Sequence, residues 1–184
     1  MENKDKLRMY GFVPYSLSPI QQAIQFGHAV VEYQLEHDAL TVGLSIYRDW
    51  AENYKTFIIL NGGTTNNDVT SILHLDVHPL EKIGLSGIQY CIAKLDELNI
   101  DYATFQEPDL NDATTAVVFI LSEEVYNYTK FPKIEDWAFE NVGSSYKKDY
   151  LPHYSRYLTE IFGSVEKGEY IGNVRNFISK YRFA

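Results

Sequence analysis

The sequence predicts an α/β fold, built around a largely parallel or mixed sheet. Short β-branched apolar runs alternate with helical patterns through the first two thirds of the chain, which is the signature of such a fold. The run Lys55-Thr-Phe-Ile-Ile-Leu60 has the length and composition of a buried strand, and so does the Val-Val-Phe-Ile-Leu heart of the segment Thr114 to Leu121. From about Ser122 the pattern turns helical and aromatic, with Trp137, Tyr146, Tyr150, Tyr154, Tyr157, Phe162, Tyr170, Phe177, Tyr181 and Phe183. No low-complexity linker precedes that part. It reads as an extension, 122–184, packed on an α/β domain of residues 1–121 or on a partner.

The elements follow in order. Leu7 to Pro14 is the first strand. Ser18 is a good helix N-cap, Pro19 suits the first helical position, and Gln21 completes an S-x-x-Q capping box. The helix from Pro19 to about Glu36 carries Gln21, Gln25 and His28 on a polar stripe. Ile20, Ala23, Ile24, Gly27 and Val31 form an apolar stripe, expected to face the core. A second helix is expected over Val42 to about Glu52, and the Lys55 strand follows. Asn61-Gly62-Gly63-Thr64-Thr65-Asn66-Asn67-Asp68 is a strong loop signal. Val69 to Leu80 alternates and suits an inserted strand. Leu85 to Leu98 is a helix with Ile88, Cys91, Ile92 and Leu95 inward. Asp101 to Gln106 is a third strand, Glu107 to Asp112 a polar loop, and Thr114 to Leu121 a fourth strand.

Composition narrows the function classes. The chain has 184 residues and a formal net charge of -9. Duplex or tRNA binding over an extended surface needs clustered lysine and arginine, so that charge argues against it. The balance is uneven: residues 1–140 carry -12 and residues 141–184 carry +3. Lys147, Lys148, Arg156, Arg175, Lys180 and Arg182 could form a basic surface, but solvated helix faces explain them more simply. Met1 to Arg8 is charged where a secretory leader would be apolar, and no run reaches transmembrane length. With a single cysteine, Cys91, set in an apolar helical pattern, the expected setting is cytoplasmic and the expected role is packing. No membrane contact and no cofactor are expected.

Four segments carry a resemblance. They are a strand followed by S-P-x-Q-Q-A-x-Q-x-x-H-A (Ser18 to Ala29), the strand opened by Lys55, the N-G-G-T loop (Asn61 to Thr64), and E-P-D-L-N-D before Thr115-Ala-Val-Val-Phe119. In that order and spacing, over roughly residues 7–121, the chain resembles the type 2 peptidyl-tRNA hydrolase family. The resemblance implies a three-layer sandwich: a four-stranded mixed sheet with helices on both faces, plus the aromatic-rich helical C-terminal extension. It also implies a homodimer, and cleavage of the ester joining peptide to tRNA. Lys55 matches the family's second lysine. Gln21 stands where the family has its first, and Glu107-Pro108-Asp109 replaces the family's Asp-Ala-Gly-x-Thr loop.

Those departures change the chemistry. Ester hydrolysis needs an activated water and a group that stabilises the oxyanion. A lysine brings charge and a proton; Gln21 brings a neutral amide. The sequence therefore leaves two functions open. In one, the inherited cleft holds a nucleotide, an RNA end or a small phosphorylated ligand without turnover, through Gln21, Gln25, Asn61, Gly62, Gly63, Thr64, Glu107, Thr114 and Thr115. In the other, His28 as base, Lys55 and Asp109 make a divergent hydrolase. A third function, protein interaction through the C-terminal helices, rests on the length of that extension.

Each residue also has a plain structural role available. Gln21 caps a helix, His28 suits a hydrogen-bonded helix histidine, Lys55 suits a strand edge, and Asp109 and Asp112 suit turns. Asn61 to Thr65 lacks the Gly-Lys-Ser/Thr of a Walker loop, though its glycines would let backbone N–H groups approach a phosphate. On a strand, His74, Asp76 and His78 would share a face as zinc requires, but no further His or Cys is adjacent, so no metal site is expected.

Overall fold

The computed structural model describes residues 6–38, 46–65 and 87–184. The chain divides into two compact units: an α/β unit of Lys6–Leu121 with Tyr181–Ala184, and a helical unit of Ser122–Lys180. Among the described residues no helix is long and apolar enough to cross a membrane.

The α/β unit is a four-stranded mixed sheet in the order β2-β1-β4-β3. The strands are β1 (Leu7–Val13), β2 (Phe57–Asn61), β3 (Tyr102–Glu107) and β4 (Ala113–Ser122). β1 and β2 are parallel, with Met9 opposite Phe57 and Val13 opposite Asn61. β3 and β4 are antiparallel, with Tyr102 opposite Phe119, and their register shifts between Phe105 and Gln106. Pro108 stops β3, since proline cannot continue the ladder. The chain then turns through Asn111 and Asp112, both with left-handed backbone at φ 55° and 56°, and enters β4. Asparagine and aspartate tolerate that conformation better than most residues.

Helices cover both faces. On one, α1 (Pro19–Asp38) and α2 (Ile46–Asn53) enclose a core of Met9, Val13, Phe26, Ala29, Tyr33, Trp50, Ala116, Val118 and Ile120. On the other, α3 (Gly87–Glu97) buries Ile88, Cys91 and Leu95. Phe12 and Phe119 face this second side, their ring centroids 5.6 Å apart.

The α1 register departs from expectation. Its core side is Gln25, Phe26, Ala29 and Tyr33, whereas Ile20, Ala23, Ile24, Gly27 and Val31 are exposed. The helix is apolar on two sides, and the sheet takes the side with the large rings. Phe26 lies over Gly11, where a Cβ would come within 2.5 Å of its ring.

The last four residues also depart from the helical extension that was expected. Tyr181–Ala184 lie antiparallel beside β2 through a bridge between Leu60 and Phe183. Asn61 N–H donates to Arg182 O at 2.9 Å, and Ala184 N–H donates to Ile59 O at 3.1 Å. The Tyr181 ring packs on Phe12 at 4.5 Å. The Cys91 thiol donates to the Tyr181 hydroxyl at 3.4 Å.

Burial pushes the Cys91 thiol up to about 12. Its folded value lies above its unfolded one, so its contribution to stability is complete below the ordinary thiol range and is lost as pH rises towards 12. Iodoacetamide at pH 8 should therefore leave Cys91 unmodified in the folded chain and label it fully in denaturant, as read by intact mass. Rapid labelling of folded protein would show that the tail does not seal this side.

The helical unit contains α4 (Glu123–Tyr126), α5 (Ile134–Asn141), α6 (Lys147–Tyr150), α7 (Tyr154–Phe162) and α8 (Val165–Ile178). Gly163, at φ 87°, ends α7 in the left-handed conformation that glycine takes without penalty. Ser164 then caps α8 by accepting from Lys167 N–H. Two buried carboxylates at the unit's start are neutralised locally, Glu123 by Lys130 and Glu124 by Lys167. Arg175 donates to Glu124 O at 2.5 and 3.0 Å and to Phe131 O at 2.8 Å. Its guanidinium lies over the rings of Tyr128 and Phe162. Burial lowers its pKa.

Candidate functional site

The capping box forms at the start of α1. Gln21 Oε1 accepts from Ser18 N–H at 3.1 Å, and Ser18 Oγ accepts from Gln21 N–H at 3.4 Å. Gln22 ties the preceding turn down by donating to Pro14 O and Leu17 O, each at 3.1 Å. One turn later, Gln25 is buried. Its amide nitrogen donates to Glu107 Oε2 at 2.5 Å, and its amide oxygen accepts from Thr115 Oγ1 at 2.6 Å.

The β3–β4 irregularity makes this possible. Phe105 pairs with Ala116 and Gln106 with Thr114, so Thr115 is the extra residue of a bulge. Alternation along β4 would turn Thr115 away from the α1 side, where Ala116, Val118 and Ile120 sit. A bulge re-aims a side chain, and here the Thr115 hydroxyl meets Gln25. Thr114 faces elsewhere and accepts from Gln89 at 3.2 Å.

Gln25, Glu107 and Thr115 are thus brought together, with Gln21 on the same helix. The exposed His28 follows along α1 and lays its ring on Phe105 at 4.5 Å. Asp109 is exposed in the short 3₁₀ turn Pro108–Leu110.

Lys55 leads into a different strand. It precedes β2, which lies at one edge of the sheet, while Phe105 and Glu107 belong to β3 at the other. The two intervening strands separate the edges by roughly 14 Å. Lys55 has a backbone role of its own: its N–H donates to Trp50 O at 3.0 Å, closing α2, with φ at 50°. Glycine or asparagine takes this left-handed position more readily than lysine.

The Asn61 to Thr64 loop has a packing explanation. Asn61 Oδ1 accepts from Gly63 N–H at 2.9 Å, and Gly62 N–H donates to Val13 O at 2.8 Å. A Cβ on Gly62 would come within 2.8 Å of Phe12, and one on Gly63 within 2.8 Å of Gly87 Cα. Ile88 N–H donates to Thr64 O at 3.2 Å. These contacts seat α3 against the end of β1.

His74, Asp76 and His78 fall outside the described residues, as does the expected strand over Val69 to Leu80. Among the described residues no group of three His, Cys, Asp or Glu could hold a metal ion. The bond from Gln89 to Thr114 and the place of the Tyr181 tail in the α/β unit were not legible, because each meets its partner through the fold and not through any local pattern. Two cavities lie away from Gln25. One, of about 400 Å³, is in the helical unit and is lined by Tyr128, Tyr154, Tyr157, Phe162 and Arg175 among others. The other, of about 420 Å³, is lined by Glu36, His37, Asp96, Asn99, Asp101 and Tyr102 among others.

No family model matches the sequence, and no curated protein matches it significantly.

Proposed function

We propose that the chain is a divergent, cytoplasmic and homodimeric relative of the type 2 peptidyl-tRNA hydrolases that holds a nucleotide or an RNA end without hydrolysing it. The carrying observation is the closed chain Thr115–Gln25–Glu107. A neutral amide occupies the middle of the site and engages an oxygen of the Glu107 carboxylate, one of the groups expected to hold a ligand. His28 and Asp109 lie towards the β3 edge while Lys55 leads into β2 at the opposite edge, which supports holding over hydrolysis.

The site's chemistry favours the nucleoside part of the ligand over its phosphates. A carboxylate and amides accept from ribose hydroxyls and exocyclic amines. His28 and Phe105 offer ring faces for a base. Alternatively, the chain is an active hydrolase of peptidyl-tRNA or another acyl-RNA ester.

The test is peptide release from an N-blocked aminoacyl-tRNA, run beside thermal shift with a nucleoside monophosphate panel. Holding without hydrolysis predicts no release and a stabilising shift that Glu107→Gln reduces. Release that is lost in Lys55→Ala would overturn it in favour of the hydrolase. The cluster also has a stability consequence. Gln25→Leu should cost about 2 kcal/mol in urea unfolding, because Glu107 and Thr115 lose a buried partner. An unchanged midpoint would mean that the cluster does not form.

A further inference from the structure

We infer that α1 pairs with α1 of a second copy of this chain, antiparallel, about a two-fold axis at the Gly27–His28 peptide. This rests on the homodimer reading above and assigns its surface.

The observation is an apolar stripe turned to solvent on the side of α1 opposite the sheet. Ile20 is 74% exposed, Ile24 49%, Val31 53% and Leu35 62%. Gly27 completes the row, and a Cβ built there meets nothing within 4 Å. These five residues fall within one narrow stripe at helical spacing, as in a helix–helix seam. Single exposed apolar residues are ordinary; a continuous row of them marks an interaction surface.

The row selects the partner. Ile20 and Leu35 are equidistant from the Gly27–His28 peptide, and so are Ile24 and Val31. Reversing the helix therefore lays the row on itself, Ile20 against Leu35 and Ile24 against Val31, with the small Gly27 at the crossing. A two-fold contact requires that kind of self-complementarity.

The helix has 20 residues, so it is about 30 Å long. Packing two along that length buries on the order of 1,000 Å², the lower bound for a specific interface.

The experiment is light scattering on the full chain at micromolar concentration, with Ile24→Lys, Val31→Glu and the double variant. The parent should be a dimer. Each single variant should associate about a hundredfold more weakly, because a charge enters the seam. The double variant should recover dimerisation, since the introduced lysine of each copy faces the introduced glutamate of the other. Both sites are exposed, and circular dichroism checks that the variants fold. As a second measurement, Gly27→Cys should form an intermolecular disulfide on mild oxidation, its partner thiol lying beside the axis. Dimers that survive both single variants, with no crosslink through Gly27→Cys, would overturn this surface and leave the homodimer standing. A monomeric parent would overturn both.

Discussion

Gly87→Val should abolish stable folding of the α/β unit, whereas Gly27→Ala, an equally simple change in another helix, should leave it intact. A Cβ on Gly87 would lie 2.3 Å from Gly62 O, 2.6 Å from Gly63 Cα and 2.8 Å from Thr64 N. All three are backbone atoms, so no rotamer change relieves the overlap. The loop cannot retreat either. It is fixed by Gly62 N–H to Val13 O at 2.8 Å, by Tyr15 N–H to Gly63 O at 3.0 Å, and by Ile88 N–H to Thr64 O at 3.2 Å. Overpacking against fixed backbone belongs to the most damaging class of substitution, and about 4 kcal/mol is expected here. That is most of the stability of a marginal domain. At Gly27 nothing lies within 4 Å, so alanine should add up to about 1 kcal/mol through helix propensity. Urea unfolding followed by circular dichroism measures both. If Gly87→Val melts with the parent, the contact between this loop and α3 is wrong.

Arg175→Met should do comparable damage to the helical unit, and Arg175→Lys should not repair it. One guanidinium serves Glu124 O twice and Phe131 O once, and it fills the space between Tyr128 and Phe162. Methionine keeps much of the volume and leaves both carbonyls without these donors, at about 3 kcal/mol. Lysine keeps the charge but lacks the planar fork that reaches two carbonyls from one position. Hydrogen exchange over residues 123–180 reads the effect directly. Parental protection in Arg175→Lys would show that charge alone suffices and that the fork is incidental.

The particular residues show where the sequence was readable. β4 was plain because an unbroken apolar run rich in β-branched residues, Ala116 to Leu121, has few alternatives. The start of α1 was plain because its caps are local: Ser18 and Gln21 bond each other across three positions. The inward face of α1 was not, since Ile20 and Ile24 compete with Phe26 and Tyr33 in any periodicity count. Only the width of the space above Gly11 decides between them. Gly62 and Gly63 suggested a phosphate cradle because the pattern does not reveal Gly87, far along the chain, as the reason for their smallness. Glu107 and Gln25 were both named, but their union depends on a one-residue irregularity that nothing in Gln106 or Thr115 announces.

The return of Tyr181–Ala184 to the edge of β2 makes the helical unit an insertion instead of an appendage. The chain leaves the sheet at β4 and returns to it beside β2, so Ser122–Lys180 is a closed excursion anchored at both ends. Ending a shortened protein at Leu121 would do more than omit helices. It would bare the edge of β2, leaving Asn61 N–H and Ile59 O without the partners that the tail gives them, and an open edge invites aggregation. A minimal α/β domain must therefore carry Tyr181–Ala184 across a short graft.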